Sequence, residues 1–288
     1  MAEIGFWKMH GLGNDYILID GWEYTLSEEM LNSYAKLLCR RRFSVGADGL
    51  ILARPPQSEG NHVRMRIFNA DGSEAEMCGN GIRCLAKFVY EKGIVKDETL
   101  NVETLAGLKK VELTVKDGRV VGVKVDMGAP SFNREDLPML EVEEGPFIDE
   151  ELEVSGSRFK ASCVSVGNPH CVIFVEDVDG FPVERWGPLI ERHRLFPRRV
   201  NVEFAELLKD GKVKVRTWER GCGETLACGT GACAVTVVAN RLGLVGDTVE
   251  VVLKGGVLRV TIEGDRLIME GPAVKVYEGA ISDEVFQP

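Results

Sequence analysis

Residues 63–93 read VRMRIFNADGSEAEMCGNGIRCLAKFVYEKG, and residues 213–243 read VKVRTWERGCGETLACGTGACAVTVVANRLG. When the second stretch is laid over the first without a gap, identical residues meet at Val63, Arg66, Glu74, Cys78, Gly79, Gly81 and Gly93. Both stretches run from a strand-like alternation through a polar loop and Cys-Gly-x-Gly into a helical segment that ends at Gly. The pattern predicts a chain made of two duplicated halves.

A second pair of motifs supports the duplication. Gly13-Asn14 precedes the strand-like stretch 16–20, and Gly167-Asn168 precedes the strand-like stretch 171–175. Elsewhere, apolar-polar alternation is broken by Asp-Gly or Gly-Asp turns, as in VELTVKDGRVVGVKV, which is typical of hairpins. Each half therefore reads as sheet with few helices.

Four helices are predicted. One runs from Ser27 to about Arg42 behind a serine cap, one follows each Cys-Gly loop, and a shorter one covers Trp186 to His193. The strand pattern gives way to a proline- and acid-rich stretch near Gly128-Ala129-Pro130, which favours a domain junction there. The predicted fold is α/β, in the α+β sense, with two similar domains and a cleft between them.

Composition restricts the class of protein. The chain has 288 residues, 44% of them hydrophobic and 28% charged, with a formal net charge of -10. Nucleic-acid binding needs a basic face, and an acidic chain whose longest basic run is Arg40-Arg41-Arg42 does not favour it. The N-terminal residues lack the pattern of a signal peptide, and no stretch approaches 18 apolar residues. We expect a cytoplasmic protein with no membrane partner.

The eight cysteines are expected to be free thiols. Five residues separate Cys78 from Cys84 and Cys222 from Cys228, whereas structural zinc sites favour closer pairs such as C-x2-C. No metal is predicted.

Cys78 and Cys228 are the candidate reactive groups, because each stands at the entry of a helix. A thiol there lies at the positive end of the helix dipole, where a lowered pKa is expected. The adjoining glycines let a substrate approach the backbone N–H groups, which suit a carboxylate. A small buried cysteine is the ordinary alternative for one such motif, but the duplication favours two activated thiols facing one cleft.

Two opposed thiols suit the inversion of a carbon that carries an acidic hydrogen. One sulfur removes the proton from one face and the other delivers a proton to the opposite face. The paired helix N-termini would hold the carboxylate whose negative charge grows in the transition state. We find no lysine motif for pyridoxal phosphate, so no cofactor is predicted.

Further candidates lie beside these loops. His170 follows the second Gly-Asn turn and could set the protonation of a thiol. Glu219 could bind an ammonium group and Arg220 a carboxylate, while Asn69 and Asn201 would add neutral donors. A solvated or structural role remains the alternative for each of them.

Together the motifs KMHGLGNDY, RIFNADGSEAEMCGNGIRC, VGNPHCV, RVNVEF and TWERGCGETLACGTGA resemble the diaminopimelate epimerase family over nearly the whole chain. The resemblance implies two pseudo-symmetric domains, residues 1–129 and 130–273, each a mostly antiparallel sheet wrapped around a central helix. It places the active site in the interdomain cleft and returns segment 274–288 to the first domain. It also implies an isomerase that interconverts LL- and meso-diaminopimelate, as in lysine biosynthesis, while the choice between a lysine and a cell-wall role for the product is open.

The resemblance also assigns roles to matching residues. Cys78 and Cys228 would be the acid and base, and the backbone N–H groups of Gly79, Asn80, Gly229 and Thr230 would bind the reacting carboxylate. His170 and Glu219 would tune the thiols, and Glu219 would also bind the amino group. Contacts to the rest of the substrate would come from Asn14, Asn69, Asn168, Asn201 and Arg220.

One departure and several alternatives remain at this level. Many bacterial members read G-F-D-Q where this chain has Gly46-Ala47-Asp48-Gly49, so the contact made by that glutamine is in doubt. A proline racemase or hydroxyproline epimerase is the rival within the fold, although its first loop typically reads M-C-G-H. A thiol hydrolase would leave the second Cys-Gly loop unexplained, and a noncatalytic amino acid binding protein would exchange no hydrogen. The oligomeric state is open, with a homodimer as one alternative.

Overall fold

The computed structural model of the chain describes residues 3–140 and 145–286. Its α-helices are α1 (Leu31–Leu38), α2 (Gly79–Glu91), α3 (Val183–Glu191) and α4 (Gly229–Arg241). Its first strands are β1 (Ile4–Gly11), β2 (Asn14–Asp20), β3 (Gly49–Arg54), β4 (Val63–Asn69), β5 (Glu74–Ala75), β6 (Thr99–Thr104), β7 (Gly107–Lys116) and β8 (Arg119–Gly128). The later strands are β9 (Glu150–Val154), β10 (Ser157–Ser165), β11 (Pro169–Phe174), β12 (Asn201–Leu207), β13 (Val213–Glu219), β14 (Gly223–Thr225), β15 (Thr248–Leu253), β16 (Gly256–Glu263), β17 (Arg266–Gly271) and β18 (Val274–Ile281). Short 3₁₀ turns cover Glu28–Met30, Arg134–Asp136 and Asp283–Phe286.

The chain divides into two compact units. Unit 1 comprises Met1–Val125 and Gly271–Pro288, and unit 2 comprises Asp126–Glu270. The boundaries predicted from the sequence, after residues 129 and 273, stay a prediction.

The two units have the same strand order. In unit 1 the hydrogen-bonded order is β18-β1-β2-β3-β4-β6-β7-β8, and in unit 2 it is β9-β10-β11-β12-β13-β15-β16-β17. Two pairs in each unit are parallel, β2 with β3 and β4 with β6, then β11 with β12 and β13 with β15. All other pairs in these orders are antiparallel. The predicted duplication and mostly antiparallel sheets are confirmed.

A buried helix lies against the sheet of each unit. Helix α2 contacts β1, β2, β3, β4 and β7 of unit 1, and helix α4 contacts β10 to β13, β15 and β16 of unit 2. Every residue from Gly79 to Ala86 is buried, as is every residue from Ala232 to Ala239. A helix buried on all faces needs apolar neighbours around it, and the strands supply them.

An ion pair that recurs in both units fixes the loop before each cysteine. Arg66 on β4 binds Glu74 on β5 through two guanidinium nitrogens, with Nη2 2.9 Å from Oε2. Arg216 on β13 binds Glu224 on β14 in the same way, with Nη2 3.0 Å from Oε2. Paired bonds between arginine and carboxylate are geometrically specific. The arginine and glutamate that are identical in the two repeats therefore hold the short strand that precedes each Cys-Gly loop.

The structure corrects two predicted helices. Helix α1 starts after a 3₁₀ turn and ends at Leu38, and Ser27 makes no side-chain capping bond. Leu31, Ala35 and Leu38 nevertheless form its buried stripe, as predicted. Helix α3 begins at Val183, earlier than Trp186, because Pro182 can precede a first turn without costing a hydrogen bond. No helix in residues 3–140 or 145–286 is long and apolar enough to cross a membrane.

Candidate active site

Cys78 is the N-cap residue of α2. Its backbone is extended, with φ -138° and ψ 126°, while its carbonyl already accepts a hydrogen bond from Ile82 N at 2.9 Å. The first N–H groups of a helix have no partner within the helix. This geometry puts the partly exposed Cys78 thiol beside the N-terminus of a buried helix.

The Cys78 site is defined here as Asn14, Tyr16, Cys78, Asn80 and Arg83. Tyr16 Oη lies 3.0 Å from Cys78 Sγ and donates to Asn14 Oδ1 at 2.5 Å. The sulfur also lies 3.7 Å from Asn14 Oδ1, and Asn80 Nδ2 donates to the same oxygen at 3.3 Å. The predicted residues Asn14, Gly79 and Asn80 are thus brought to Cys78, together with Tyr16, to which no role was assigned from the sequence.

Arg83 holds the start of the helix in place. Its side chain is fully buried, and it donates to Gly79 O at 3.0 Å, Asn80 Oδ1 at 2.8 Å and Pro272 O at 3.2 Å. A buried guanidinium is tolerated where hydrogen bonds satisfy it. Arg83 therefore fixes both the backbone of Gly79 and the side chain of Asn80.

Cys228 has the equivalent position at the N-cap of α4. Its backbone is also extended, with φ -116° and ψ 113°, but its side chain caps the helix by accepting from Gly231 N at 3.3 Å. Thr230 Oγ1 lies 3.4 Å from the sulfur. The Cys228 site is defined here as Asn168, His170, Glu203, Glu219, Cys228 and Thr230.

The acidity of Cys228 differs from the sequence-based expectation. Burial raises the pKa of the Cys228 thiol well above its ordinary value, and the carboxylates of Glu219 and Glu203 raise it further. Hydrogen bonds from Thr230 and Gly231 lower that pKa. The expectation of a lowered pKa at this helix terminus is therefore wrong for Cys228, because the loss of hydration and two negative charges outweigh the N-cap.

His170 belongs to a buried hydrogen-bond chain. Its Nδ1 lies 2.8 Å from Glu203 Oε1, and its Nε2 lies 2.9 Å from Asn168 Oδ1. Asn168 Nδ2 donates to Thr230 Oγ1 at 3.3 Å. Through Asn168 and Thr230, the imidazole is linked to Cys228 without touching the sulfur.

Glu203 is a site residue that the sequence analysis missed. It is fully buried on β12, and its Oε2 has no hydrogen-bond partner among the described residues. A Cβ added at Gly231 would come within 2.8 Å of Glu203 Oε1, so the glycine leaves room for this carboxylate. The available signal was a charged residue between Val202 and Phe204 in an apolar strand, since buried carboxylates are rare unless paired.

Glu219 ends β13 beside Cys228. Its Oε1 accepts from Thr225 Oγ1 at 2.5 Å. Burial raises the pKa of the Glu219 carboxyl and the charge of Glu203 adds to this, while hydrogen bonds from Thr225 and Cys228 act in the opposite direction. Glu219 thus lies where its charge acts on the Cys228 thiol, and its predicted roles in tuning the thiols and binding the ammonium group stay predictions.

Three other predicted residues have different environments. Asn201 is buried and links two backbone groups, because Nδ2 donates to Pro169 O at 3.1 Å and Oδ1 accepts from Arg220 N at 2.9 Å. Arg220 has an exposed side chain that donates to Arg198 O at 3.2 Å. Asn69 lies at the exposed end of β4 and donates to Ser73 Oγ at 3.0 Å. Substrate contacts by these residues stay predictions.

Strand register shows what occupies matching places in the two units. Tyr16 pairs with Gly49 across β2 and β3, just as His170 pairs with Asn201 across β11 and β12. A Cβ at Gly49 would lie 2.8 Å from Phe68 O and 3.1 Å from the Tyr16 ring. The glycine therefore leaves room for the ring of Tyr16.

The sequence is similar to proteins of one known family. A family model described as Diaminopimelate epimerase matches residues 6–133 and 162–276. The chain is 51% identical to the diaminopimelate epimerase of Moorella thermoacetica, covering 95% of this chain and 98% of that protein. It is 50% identical to the diaminopimelate epimerase of Methanothermobacter thermautotrophicus, covering 96% of this chain and 98% of that protein.

The chain belongs to the diaminopimelate epimerase family. The resemblance found in the sequence is confirmed, and with it the class of enzyme, an isomerase that acts as an epimerase. A solved structure, a hydroxyproline epimerase from Agrobacterium vitis, matches with a TM-score of 0.72 over 97% of this chain and 92% of that chain. Its sequence identity of 16% shows a shared fold only.

Within this member of the epimerase family, Glu203→Gln is expected to lower the pKa of Cys228. The substitution keeps the shape of the side chain and an acceptor for His170, but it removes a negative charge that raises that pKa. The midpoint of Cys228 ionisation should therefore move to lower pH, measured as thiolate absorbance after subtracting the spectrum of the same variant carrying Cys228→Ser.

Glu206→Gln is the matched control, because Glu206 lies on the same strand and accepts from Val178 N instead of a site residue. It should leave the Cys228 midpoint in place. A Glu203→Gln midpoint equal to that of the unsubstituted protein would contradict the prediction.

Proposed function

We propose that this protein is a cofactor-independent diaminopimelate epimerase in which Cys78 and Cys228 are the acid and base. The observation that carries the proposal is the equivalent placement of the two thiols: each is the N-cap of the buried helix of its unit. One sulfur would take the α-proton and the other would protonate the opposite face of the same carbon. After one turnover the base has become a thiol and the acid has become a thiolate. In the reverse reaction each sulfur therefore takes the other role.

The helix N-termini would stabilise the carbanion. As the α-proton leaves, negative charge spreads into the adjoining carboxylate, and N–H groups aimed at its oxygens are worth most when that charge is largest. Gly79 and Asn80 in one unit, and Gly229 and Thr230 in the other, are the residues proposed for this task. No electron sink outside the protein is needed in this scheme.

The neighbouring side chains would set protonation and orientation. The raised pKa of Cys228 favours its protonated form in the empty enzyme, which suits it to act as the acid toward one stereoisomer. His170 and Glu219 are proposed to tune this thiol, Glu219 also to bind the substrate ammonium group, and Asn14, Asn69, Asn168, Asn201 and Arg220 to bind its remaining polar groups. A cytoplasmic location and a homodimer are further proposals, the latter testable by analytical ultracentrifugation.

Epimerisation in D2O tests the function. Reduced protein incubated with LL-diaminopimelate should form meso product that carries α-deuterium from the first turnovers, while the remaining substrate carries little, because the donor thiol exchanges with solvent and differs from the base. The measurement is chiral separation with mass spectrometry, and proline is the control substrate, expected to be neither inverted nor deuterated. Early product that retains its original α-proton would exclude the two-base scheme, and inversion of proline alone would exclude the substrate assignment.

A further inference from the structure

The phenol of Tyr16 lies within hydrogen-bond distance of the Cys78 sulfur. The residue is 4% exposed, and its Oη lies 3.0 Å from the sulfur and 2.5 Å from Asn14 Oδ1. A phenol has one hydrogen to donate and lone pairs to accept with. The phenol can donate its hydrogen to Asn14 Oδ1 or to the Cys78 sulfur, and the choice depends on whether Cys78 is a thiol or a thiolate.

The orientation of the surrounding amides follows from a chain of hydrogen bonds. Arg83 can only donate, so the atom of Asn80 that it contacts is Oδ1. Asn80 Nδ2 then faces Asn14, which presents Oδ1. Asn14 Nδ2 is engaged in turn by the Asp48 carboxylate at 3.0 Å. Asn14 consequently offers Tyr16 an acceptor and no donor.

Two hydrogen-bond arrangements result, one for each protonation state of the sulfur. When Cys78 is a thiol, its S–H can donate to Tyr16 Oη, and the phenol donates to Asn14 Oδ1. When Cys78 is a thiolate, the phenol O–H can turn to the sulfur, and Asn14 Oδ1 keeps its bond from Asn80. The exchange rotates one O–H bond and transfers no proton between oxygen and sulfur. The phenol stays neutral throughout, since burial and the charge that Cys78 can carry raise the pKa of Tyr16 well above its ordinary value.

A hydroxyl neighbour of this kind stabilises a sulfur that serves in turn as base and as acid. In the two-base scheme Cys78 leaves each turnover in the state opposite to the one in which it entered. A neighbour that could only accept would destabilise the thiolate, and one that could only donate would leave the thiol hydrogen with the more distant Asn14 Oδ1, 3.7 Å away, as its acceptor. A hydroxyl can accept from the Cys78 thiol or donate to the Cys78 thiolate while its oxygen stays at the same distance from the sulfur.

The other unit uses different residues in the matching places. The register partner of Tyr16 is Gly49, and His170 occupies the place of Tyr16 opposite Asn201. His170 acts on Cys228 through Asn168, and the hydroxyl near that sulfur belongs to Thr230, 3.4 Å away. In the part of the chain that the structure describes, the hydroxyl near the sulfur comes from a strand in unit 1 and from the helix itself in unit 2.

We propose that Tyr16 is a positioning residue of the reaction, whose hydroxyl rotates to hydrogen-bond Cys78 both as a thiol and as a thiolate. The proposal rests on the proposed function, because only a two-base epimerase requires both states of Cys78 in turn. Tyr16 lies on β2, two positions after Asn14. The proposal predicts a change in the pH dependence of Cys78 alkylation, which can be measured without substrate.

The test is Tyr16→Phe, which removes one oxygen and keeps the ring. The pH at which Cys78 is half-modified by iodoacetamide, followed by peptide mass spectrometry, should rise by about one unit or more, because the thiolate loses a charge-assisted donor. The kcat for diaminopimelate should fall about 10- to 100-fold, with KM changed less than about threefold. Tyr34→Phe is the matched control, since that ring packs on Phe286 in the same unit, and it should change neither quantity.

Two further arms keep the outcomes distinct. If Tyr16→Phe does not fold, 3-fluorotyrosine at position 16 replaces it, and its more acidic phenol should lower the Cys78 midpoint. Alkylation of Cys78 needs no turnover. If the protein did not epimerise diaminopimelate, the proposed function would be refuted, but the shift in the Cys78 alkylation midpoint could still be measured. An unchanged Cys78 midpoint in folded Tyr16→Phe would overturn the role of Tyr16, whatever the activity of the unsubstituted protein.

Discussion

Cys78→Ala and Cys228→Ala are each expected to lower the rate of epimerisation by about 1,000-fold or more, while leaving hydrogen exchange at the α-carbon of one stereoisomer. Positioned acids and bases contribute about 10²- to 10⁴-fold each, and inversion needs both. The remaining thiolate can still remove the proton that faces it and return a solvent-derived one to the same face. That sequence replaces hydrogen by deuterium without changing the configuration.

The two variants should therefore be complementary. In D2O, one of them should deuterate the LL isomer and the other the reacting centre of the meso isomer, each without net inversion, as followed by NMR and chiral separation. Cys39→Ala is the control, because this buried cysteine is the C-cap residue that follows α1 and belongs to neither site. If both variants exchanged the same isomer, or if either retained epimerisation within about tenfold, the assignment of opposed bases would be refuted.

Much of the fold could be predicted because the chain states it twice. The repeat at a constant spacing identified the strand, loop and helix of each half, and the matching ion pairs of Arg66 with Glu74 and Arg216 with Glu224 show why those identities persist. The end of α1 was less predictable, because a helix end depends on local hydrogen bonds that many residues can make. The apolar stripe of Leu31, Ala35 and Leu38 was predictable, since burial leaves a periodic trace.

The site was predictable where a motif carries the chemistry. Cys78 and Cys228 stand out because their loops repeat, and Asn14 and Asn168 because each follows a repeated glycine with positive φ, Gly13 at 88° and Gly167 at 81°. Tyr16 and Glu203 were missed, because strand periodicity assigns a residue to a face and does not say which polar atom meets it. Their contacts exist only in the folded chain, where Tyr16 Oη lies 3.0 Å from Cys78 Sγ and Glu203 Oε1 lies 2.8 Å from His170 Nδ1.

The acidity of Cys228 shows a second limit of sequence reasoning. Its place at a helix N-terminus was evident, and that placement alone lowers a pKa. Its burial and the approach of Glu203 from β12 and Glu219 from β13 arise when the strands pack together, and these raise the pKa of Cys228. The sign of the result depends on the sum of these effects, which only the folded chain supplies.

Arg220→Met is expected to reduce kcat/KM for diaminopimelate by about 2 to 4 kcal/mol, which is about 30- to 1,000-fold, if Arg220 binds the carboxylate remote from the reacting carbon. The side chain is exposed, and among the described residues its hydrogen-bond partner is the Arg198 carbonyl, so a ligand can reach it. Its backbone is held by Asn201, which in turn is held by Pro169 O. A guanidinium fixed at its base in this way suits bidentate recognition of a carboxylate.

Lysine distinguishes this role from a general loss of activity, because it is diaminopimelate without the remote carboxylate. If Arg220 binds that group, the substitution removes an interaction that lysine never makes, so α-hydrogen exchange of lysine in D2O should be slow in both proteins and change less than about threefold. Arg198→Met removes the same charge from the same region and should affect neither substrate by more than about threefold. The ratio of the diaminopimelate rate to the lysine rate should therefore fall sharply in Arg220→Met alone. An equal loss of rate on both substrates would contradict the assignment. It would show that Arg220 only supports the structure at the end of β13, because a disturbed fold lowers the rates of both substrates alike.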